Sequence, residues 1–206
     1  MKAAPDAAQL TDRVAALVEA ARKAGADAAD AVAVRGRSTS VSVRLGKVES
    51  TEASEGDDVS LRVFVGRRVA SVSATASSDP AALAERAVAM AKVSPEDPFQ
   101  ALADAALLAG DVRDLDLFDP TEVTADQLRE TALAAEEAAL AVEGVSNSSG
   151  SGASAGMGGM VLATSNGFLG HYFGTRFGRS ASVIAGEGTA MERDYETQRE
   201  METRYR

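Results

Sequence analysis

The stretch VSLRVFV, residues 59–65, puts Val59, Leu61, Val63 and Val65 at every second position, between turn signals at Gly56-Asp57 and Gly66-Arg67. Such alternation marks a half-buried strand. RVASVSATAS follows as the next strand. Upstream, STSVSVRLG alternates Val41, Val43 and Leu45 with Ser40, Ser42 and Arg44, ahead of a further turn signal at Gly46-Lys47. Strands joined this tightly must pair antiparallel, because a parallel pair needs a crossover of a dozen or more residues. The expectation is an antiparallel meander.

Helices flank it. Asp6 reads as an N-cap with Gln9 as its capping-box partner, and Leu10, Val14, Leu17, Val18 and Ala21 then share one face before Gly25. Asp79-Pro80 opens a second helix through Leu83, Ala87 and Ala91, which fails before Pro95. Residues 94–123 hold three of the five prolines and read as a connector, with a short helical piece around LAD and LLAG. Thr124 and Gln127 form a second capping box, and an Ala- and Glu-rich helix runs to Gly144. Strand-like segments follow, punctuated by Gly150, Gly152, Gly156, Gly158-Gly159, Asn166-Gly167, Gly178, Gly186 and Gly188. Helix then meander, twice, predicts an α+β fold: two related helix-plus-antiparallel-meander subdomains joined by the proline-containing connector. The boundaries expected are 1–93, 94–123 and 124–206, with the second subdomain continuing into a C-terminal domain outside this chain.

The composition narrows function. With aromatics at 4% and no tryptophan, Ala, Val and Leu must fill most of the core of this 206-residue chain. A net charge of -10 without any dense basic run speaks against nucleic-acid binding, which depends on clustered Lys and Arg. No apolar run approaches the ~18 residues of a membrane span, and the N-terminus lacks the apolar core of an export signal. Zero cysteines remove disulfides, thiolate metal sites and cysteine nucleophiles. A cytoplasmic location is the expectation.

The candidate chemical groups are few. His171, the sole histidine, falls on the strand face of Leu169, Phe173 and Phe177, the more apolar side of SNGFLGHYFGTRFG. A metal there would have only carboxylates as further ligands, an unusual zinc site, so His171 reads as a packing or hydrogen-bonding residue. GSGASAGMGG, residues 150–159, lacks the Gly-Lys-Ser/Thr ending of a P-loop and precedes strands instead of opening a helix. It suits a strand approached closely by another backbone. Glu192, Asp194 and Glu196 are interleaved with Arg193, Arg199 and Arg204, the mark of a solvated edge. Glu49, Glu52, Glu55, Asp57 and Asp58 read as a solvated acidic hairpin. The residues assemble no catalytic, cofactor-binding or metal site. What they offer is glycine-lined, strand-rich backbone suited to strand addition or to docking another domain.

Three stretches carry a resemblance. SVRLGKVESTEASEGDDVSLRVFVGRRVASVSATASSD resembles the N-terminal hairpins of the TldD/PmbA metallopeptidase family, once described as modulators of DNA gyrase. SPEDPFQALADAALLAGDVRDLDLFDP resembles the connector of its PmbA (TldE) branch. TSNGFLGHYFGTRFGRSASVIAGEGTAMERDYETQRE resembles that branch's second meander, with Met-Glu-Arg-Asp-Tyr at residues 191–195. The resemblance implies an N-terminal portion of a protein about twice this length. It implies a heterodimer with a TldD-type metallopeptidase subunit, whose HExxxH motif binds zinc, and unfolded or modified peptides as substrate. PmbA-type subunits lack that motif, and nothing in this chain matches it. No cofactor is expected here, zinc being expected on the partner. The alternative is a regulatory binding module, gyrase-modulator-like, with no peptidase role.

Overall fold

A computed structural model describes residues 7–110 and 115–200. Within them the chain is α+β, as the alternating helix and strand patterns predict. Six strands lie in one sheet: β1 (Ala28–Arg44), β2 (Lys47–Val65), β3 (Arg68–Thr75), β4 (Val145–Thr164), β5 (Leu169–Ala185) and β6 (Glu192–Glu200). Their order is β3-β2-β1-β4-β5-β6. By contact the chain forms two compact units. One takes the chain up to Arg35, Gly56–Leu115 and Gly159–Phe173; the other takes Gly36–Glu55, Asp116–Gly158 and the chain from Gly174 onward. Each of the four long strands passes from one unit to the other at a glycine: Gly36, Gly56, Gly159 or Gly174.

In the first unit, α1 (Ala7–Lys23) buries Leu10, Val14, Leu17, Val18 and Ala21, the face its spacing predicts. Gly25, at φ 97°, ends it in the left-handed conformation that glycine adopts without strain. Asp6 lies outside the described residues, and the Gln9 side chain accepts a hydrogen bond from Arg35 at 3.2 Å. α2 (Pro80–Val93) is capped by Asp79, whose carboxylate accepts from the Ala82 N–H at 2.9 Å. α1 packs against α2, and α2 against β3. The sheet answers with Ala29, Ala31 and Ala33 on β1 and Val59, Leu61 and Val63 on β2, all buried. Small alanines in the sheet leave room for the leucines and valines of the helices, and dense packing of this kind supplies the unit's stability.

Gly56-Asp57 is not a turn. Both residues lie inside β2, where Asp57 is held from two sides. Its carbonyl accepts from the Ala76 N–H at 2.9 Å, and its carboxylate binds Arg35 Nε at 2.7 Å. Glycine weakens a strand, but ladder partners on both flanks override that preference.

In the second unit, α3 (Ala125–Leu140) opens with the predicted capping box. Thr124 Oγ1 accepts from the Gln127 N–H, and Gln127 Oε1 accepts from the Thr124 N–H at 2.8 Å. Leu128 and Ala132 pack on Val41, Val43 and Ala153, with Val123, Leu133 and Ala155 at the margin. Of the glycines expected to punctuate the chain after Gly144, Asn166-Gly167, Gly186 and Gly188 do fall between strands, but β4 runs unbroken through Gly150, Gly152, Gly156 and Gly158-Gly159, and β5 through Gly178. Gly150, Gly152 and Gly156 serve closeness instead. A Cβ on Gly156 would come within 3.1 Å of the Arg37 carbonyl oxygen and 3.2 Å of Ser38 Cβ. Among its described residues the connector holds one 3-10 turn, Ala105–Leu107, which follows LAD and runs into the first residue of LLAG. No described helix is long and apolar enough to cross a membrane.

Candidate functional site

His171 stands on β5 with its ring centroid 6.4 Å from that of Phe173, tilted by 55°. Phe173, Thr175 and Phe177 on the same alternation are buried, so the face is the one read from sequence. The depth is different. His171 is exposed and Leu169 is 55% exposed, because the strand emerges beyond the core at its hairpin end. Among the described residues no group of three or more His, Asp or Glu side chains is placed to hold a metal ion. The described residues therefore do not fit the zinc that a metallopeptidase would require.

GSGASAGMGG is strand β4, and no helix N-terminus follows it to cradle a phosphate. Glu49, Glu52, Glu55 and Asp58 are exposed along β2, while Asp57 is engaged by Arg35, so they make no acid–base pair. The connector motif LDLFDP docks on β5 within the second unit. Thr175 donates its N–H to the Leu117 carbonyl at 2.9 Å, and its Oγ1 accepts from the Asp119 N–H at 3.0 Å.

Among the described residues two buried carboxylates were not singled out from the sequence: Asp30, which accepts from Arg62 Nε at 2.9 Å, and Glu136. Glu136 on α3 is 2% exposed. Its carboxylate accepts from the Leu45 N–H at 2.9 Å, the Gly46 N–H at 2.8 Å and the Ser148 hydroxyl. Ser148 Oγ in turn accepts from the Gly150 N–H at 3.0 Å. Burial pushes the Glu136 pKa up, but these three hydrogen bonds and the nearby Arg44 charge outweigh it and hold the carboxyl below its ordinary value. The arrangement clamps the β1–β2 turn, where Leu45 and Gly46 both have positive φ, 50° and 72°. Two positive φ values in a two-residue loop define a type I′ turn. Glu136 is thus a structural carboxylate.

The strand β6 is the most distinctive surface. Among the described residues it pairs only with β5, antiparallel, from Phe177↔Glu200 to Ala185↔Glu192. Every residue from Glu192 to Arg199 is exposed, so neither of its faces is covered. Glu192, Asp194, Glu196 and Glu200 project to one side of the pleat, Arg193, Tyr195, Thr197 and Arg199 to the other. Asp194 Oδ1 accepts from the Tyr195 N–H at 2.8 Å, and Gln198 from Arg179 Nε at 2.9 Å. Interleaved signs along the sequence become two faces of opposite charge.

This α+β architecture recurs in solved structures. A structure from Bacteroides thetaiotaomicron described as a modulator of DNA gyrase superposes with a TM-score of 0.87 at 23% identity, covering 97% of this chain and 47% of that one. TldE from Thermococcus kodakarensis superposes with a TM-score of 0.76 at 16% identity, covering 92% of this chain and 43% of that one. Residues 29–91 match the PmbA/TldA metallopeptidase domain 1, and residues 118–204 match the PmbA/TldA metallopeptidase central domain. The chain belongs to the PmbA/TldD metallopeptidase family. Within it the chain is of the PmbA/TldE type. It is 37% identical over 191 residues to the metalloprotease PmbA homolog of Haemophilus influenzae, covering 91% of this chain and 42% of that protein. It is 38% identical over 173 residues to metalloprotease PmbA of Escherichia coli O157:H7, covering 82% of this chain and 38% of that protein. The chain spans less than half the length of these relatives.

Proposed function

We propose that this chain supplies the first and central domains of a non-catalytic PmbA/TldE-like subunit in a zinc-dependent peptidase complex, working in the cytoplasm on unfolded or modified peptides. The observation that carries the reading is the likeness to PmbA-type proteins, carried by the connector ending in LDLFDP and by MERDYE, with residues 29–91 and 118–204 matching the first and central domains of the family. The reading assigns a division of labour, with metal chemistry on a TldD-type partner and scaffold here, where His171 is exposed on β5.

The test is reconstitution. The chain alone is expected to contain no stoichiometric zinc by elemental analysis and to leave an unfolded peptide uncleaved. The full-length protein, mixed with a TldD-type subunit, is expected to form a stable complex that cleaves that peptide. Stoichiometric zinc with turnover by this chain alone would sink the reading.

The description of the Bacteroides neighbour as a gyrase modulator favours a second reading, a regulatory binding module without a peptidase role. Stable association with gyrase, and none with a TldD-type subunit, would select it.

A further inference from the structure

The loop between β4 and β5 places a chemically labile pair, Asn166-Gly167, under a tether from the connector. The Gly167 N–H donates to the Thr164 carbonyl at 3.1 Å, with Gly167 at φ 99°, and the Thr164 N–H donates to the Phe168 carbonyl at 2.9 Å. A tight turn followed by a left-handed glycine is a common three-residue hairpin loop. Ser165 fixes this loop on β1. Its N–H donates to the Ala29 carbonyl at 2.8 Å, and its Oγ accepts from the Ala29 N–H at 3.0 Å. The exposed Asn166 side chain is held at both ends of its amide. Oδ1 accepts from Thr164 Oγ1 at 2.5 Å, and Nδ2 donates to the Ala103 carbonyl of the connector at 2.9 Å. Residues 100–107 bury no side chain, so polar bonds such as this one anchor that stretch in place of a core.

We propose that Asn166 is a deamidation site gated by its bonds to Thr164 and Ala103, and that its conversion releases the connector from the hairpin irreversibly. The reacting atoms are chain neighbours, and glycine has no side chain to obstruct their approach. The Gly167 nitrogen attacks Asn166 Cγ, its proton passing through water to the departing amide nitrogen. The bond from Cγ to Nδ2 breaks, and ammonia leaves. Water then opens the resulting cyclic imide at either carbonyl, giving aspartate or isoaspartate. Water is the one co-reactant. In the closed arrangement neither partner is free to react. The nitrogen's N–H is engaged by the Thr164 carbonyl, and the amide cannot turn toward it while Thr164 and Ala103 hold its two ends. Exposed bonds open locally, and the reaction follows the fraction of time they are open. Afterwards the donor is gone. An ionised carboxylate only accepts, so an oxygen would face the Ala103 carbonyl with no hydrogen between them. The connector cannot redock by the same bond. This holds whether or not the protein serves a peptidase.

The experiment compares the 206-residue chain with the free peptide Ala-Thr-Ser-Asn-Gly-Phe-Leu, residues 163–169, in mildly alkaline buffer. Conversion at Asn166 is followed by mass spectrometry of the fragment that contains it. The folded chain is expected to convert at least about tenfold more slowly than the peptide. Thr164→Val removes the hydroxyl that holds Oδ1 and should convert several-fold faster than the parent, whereas Thr164→Ser keeps the hydroxyl and should match it. Asn166→Asp, which carries the product's carboxylate from the start, should speed amide hydrogen exchange over residues 100–107 and leave α1 unchanged. A parent rate equal to that of the peptide means that the bonds guard nothing, and overturns the proposal. Equal rates in the parent and Thr164→Val mean that the backbone alone protects, and overturn the gate. Unchanged exchange in Asn166→Asp means that conversion releases nothing, and overturns it equally. Circular dichroism checks that Thr164→Val folds; the peptide and Asn166→Asp comparisons decide the matter without it.

Discussion

Two hairpin turns in this molecule are each held by a carboxylate, and the contrast between them separates burial from bonding. At Gly66-Arg67 the Gly66 N–H donates to Asp27 at 2.7 Å, an exposed contact that water can replace. At Leu45-Gly46 the acceptor is Glu136, almost wholly buried and shared among two main-chain N–H groups and a buried serine. The chemistry is the same, a carboxylate on turn amides. The cost of losing it is not, because a buried donor left without an acceptor pays its full desolvation penalty.

The sharpest way to break this contrast is Glu136→Ala. It strips the turn and leaves Ser148 without its carboxylate partner, so a loss of about 3 kcal/mol is expected in urea unfolding. A loss no larger than that of the exposed turn would remove the distinction. Acid provides the next test. Glu136 is held below its ordinary value of 4.5, so its contribution to stability is fully present above that pH. It is lost as pH falls through the lowered folded value. Unfolding followed between pH 7 and pH 3 should show a steeper acid loss in the parent than in Glu136→Gln, and identical slopes would contradict the assignment. A smaller effect of opposite sign is expected at the turn itself. Leu45 is 57% exposed and carries a positive φ that disfavours a leucine, whereas Leu45→Asn creates the Asn-Gly pair that type I′ turns prefer. A gain of about 0.5–1 kcal/mol should appear as a raised thermal midpoint. Smallest of all should be Asp27→Ala, about 0.5 kcal/mol or less, by the same urea measurement.

The parts of the fold that rest on local sequence were legible. Asp79-Pro80, the Thr124–Gln127 box and the alternation Val59-Leu61-Val63 each specify an element through neighbours a few residues away. Strand length was not. Gly56 and Gly150 to Gly156 read as breaks, yet they are spanned because partners distant in sequence hold them, such as Arg35 with Asp57 and Arg37 beside Gly156. Glu136 shows the same limit at the level of a site. Nothing within a turn of it marks it as buried, since its partners come from residues 45, 46 and 148. His171 was assigned to the correct face by parity, but parity carries no information on where along a strand the core ends. For β6, the interleaved charges pointed to a solvated edge; their separation into two faces needed only the strand assignment.

The interleaving of the two compact units has a consequence for how the chain is made. Unit one is incomplete without Gly159–Phe173, and unit two draws on Gly36–Glu55 as well as the chain after Gly174. A ribosome that has released the first hundred residues has therefore released no finished unit. Both must wait for the last third of the chain and close long loops as they form, which slows folding and leaves strand edges open meanwhile. Expressing either sequence half alone should yield aggregate instead of a soluble domain.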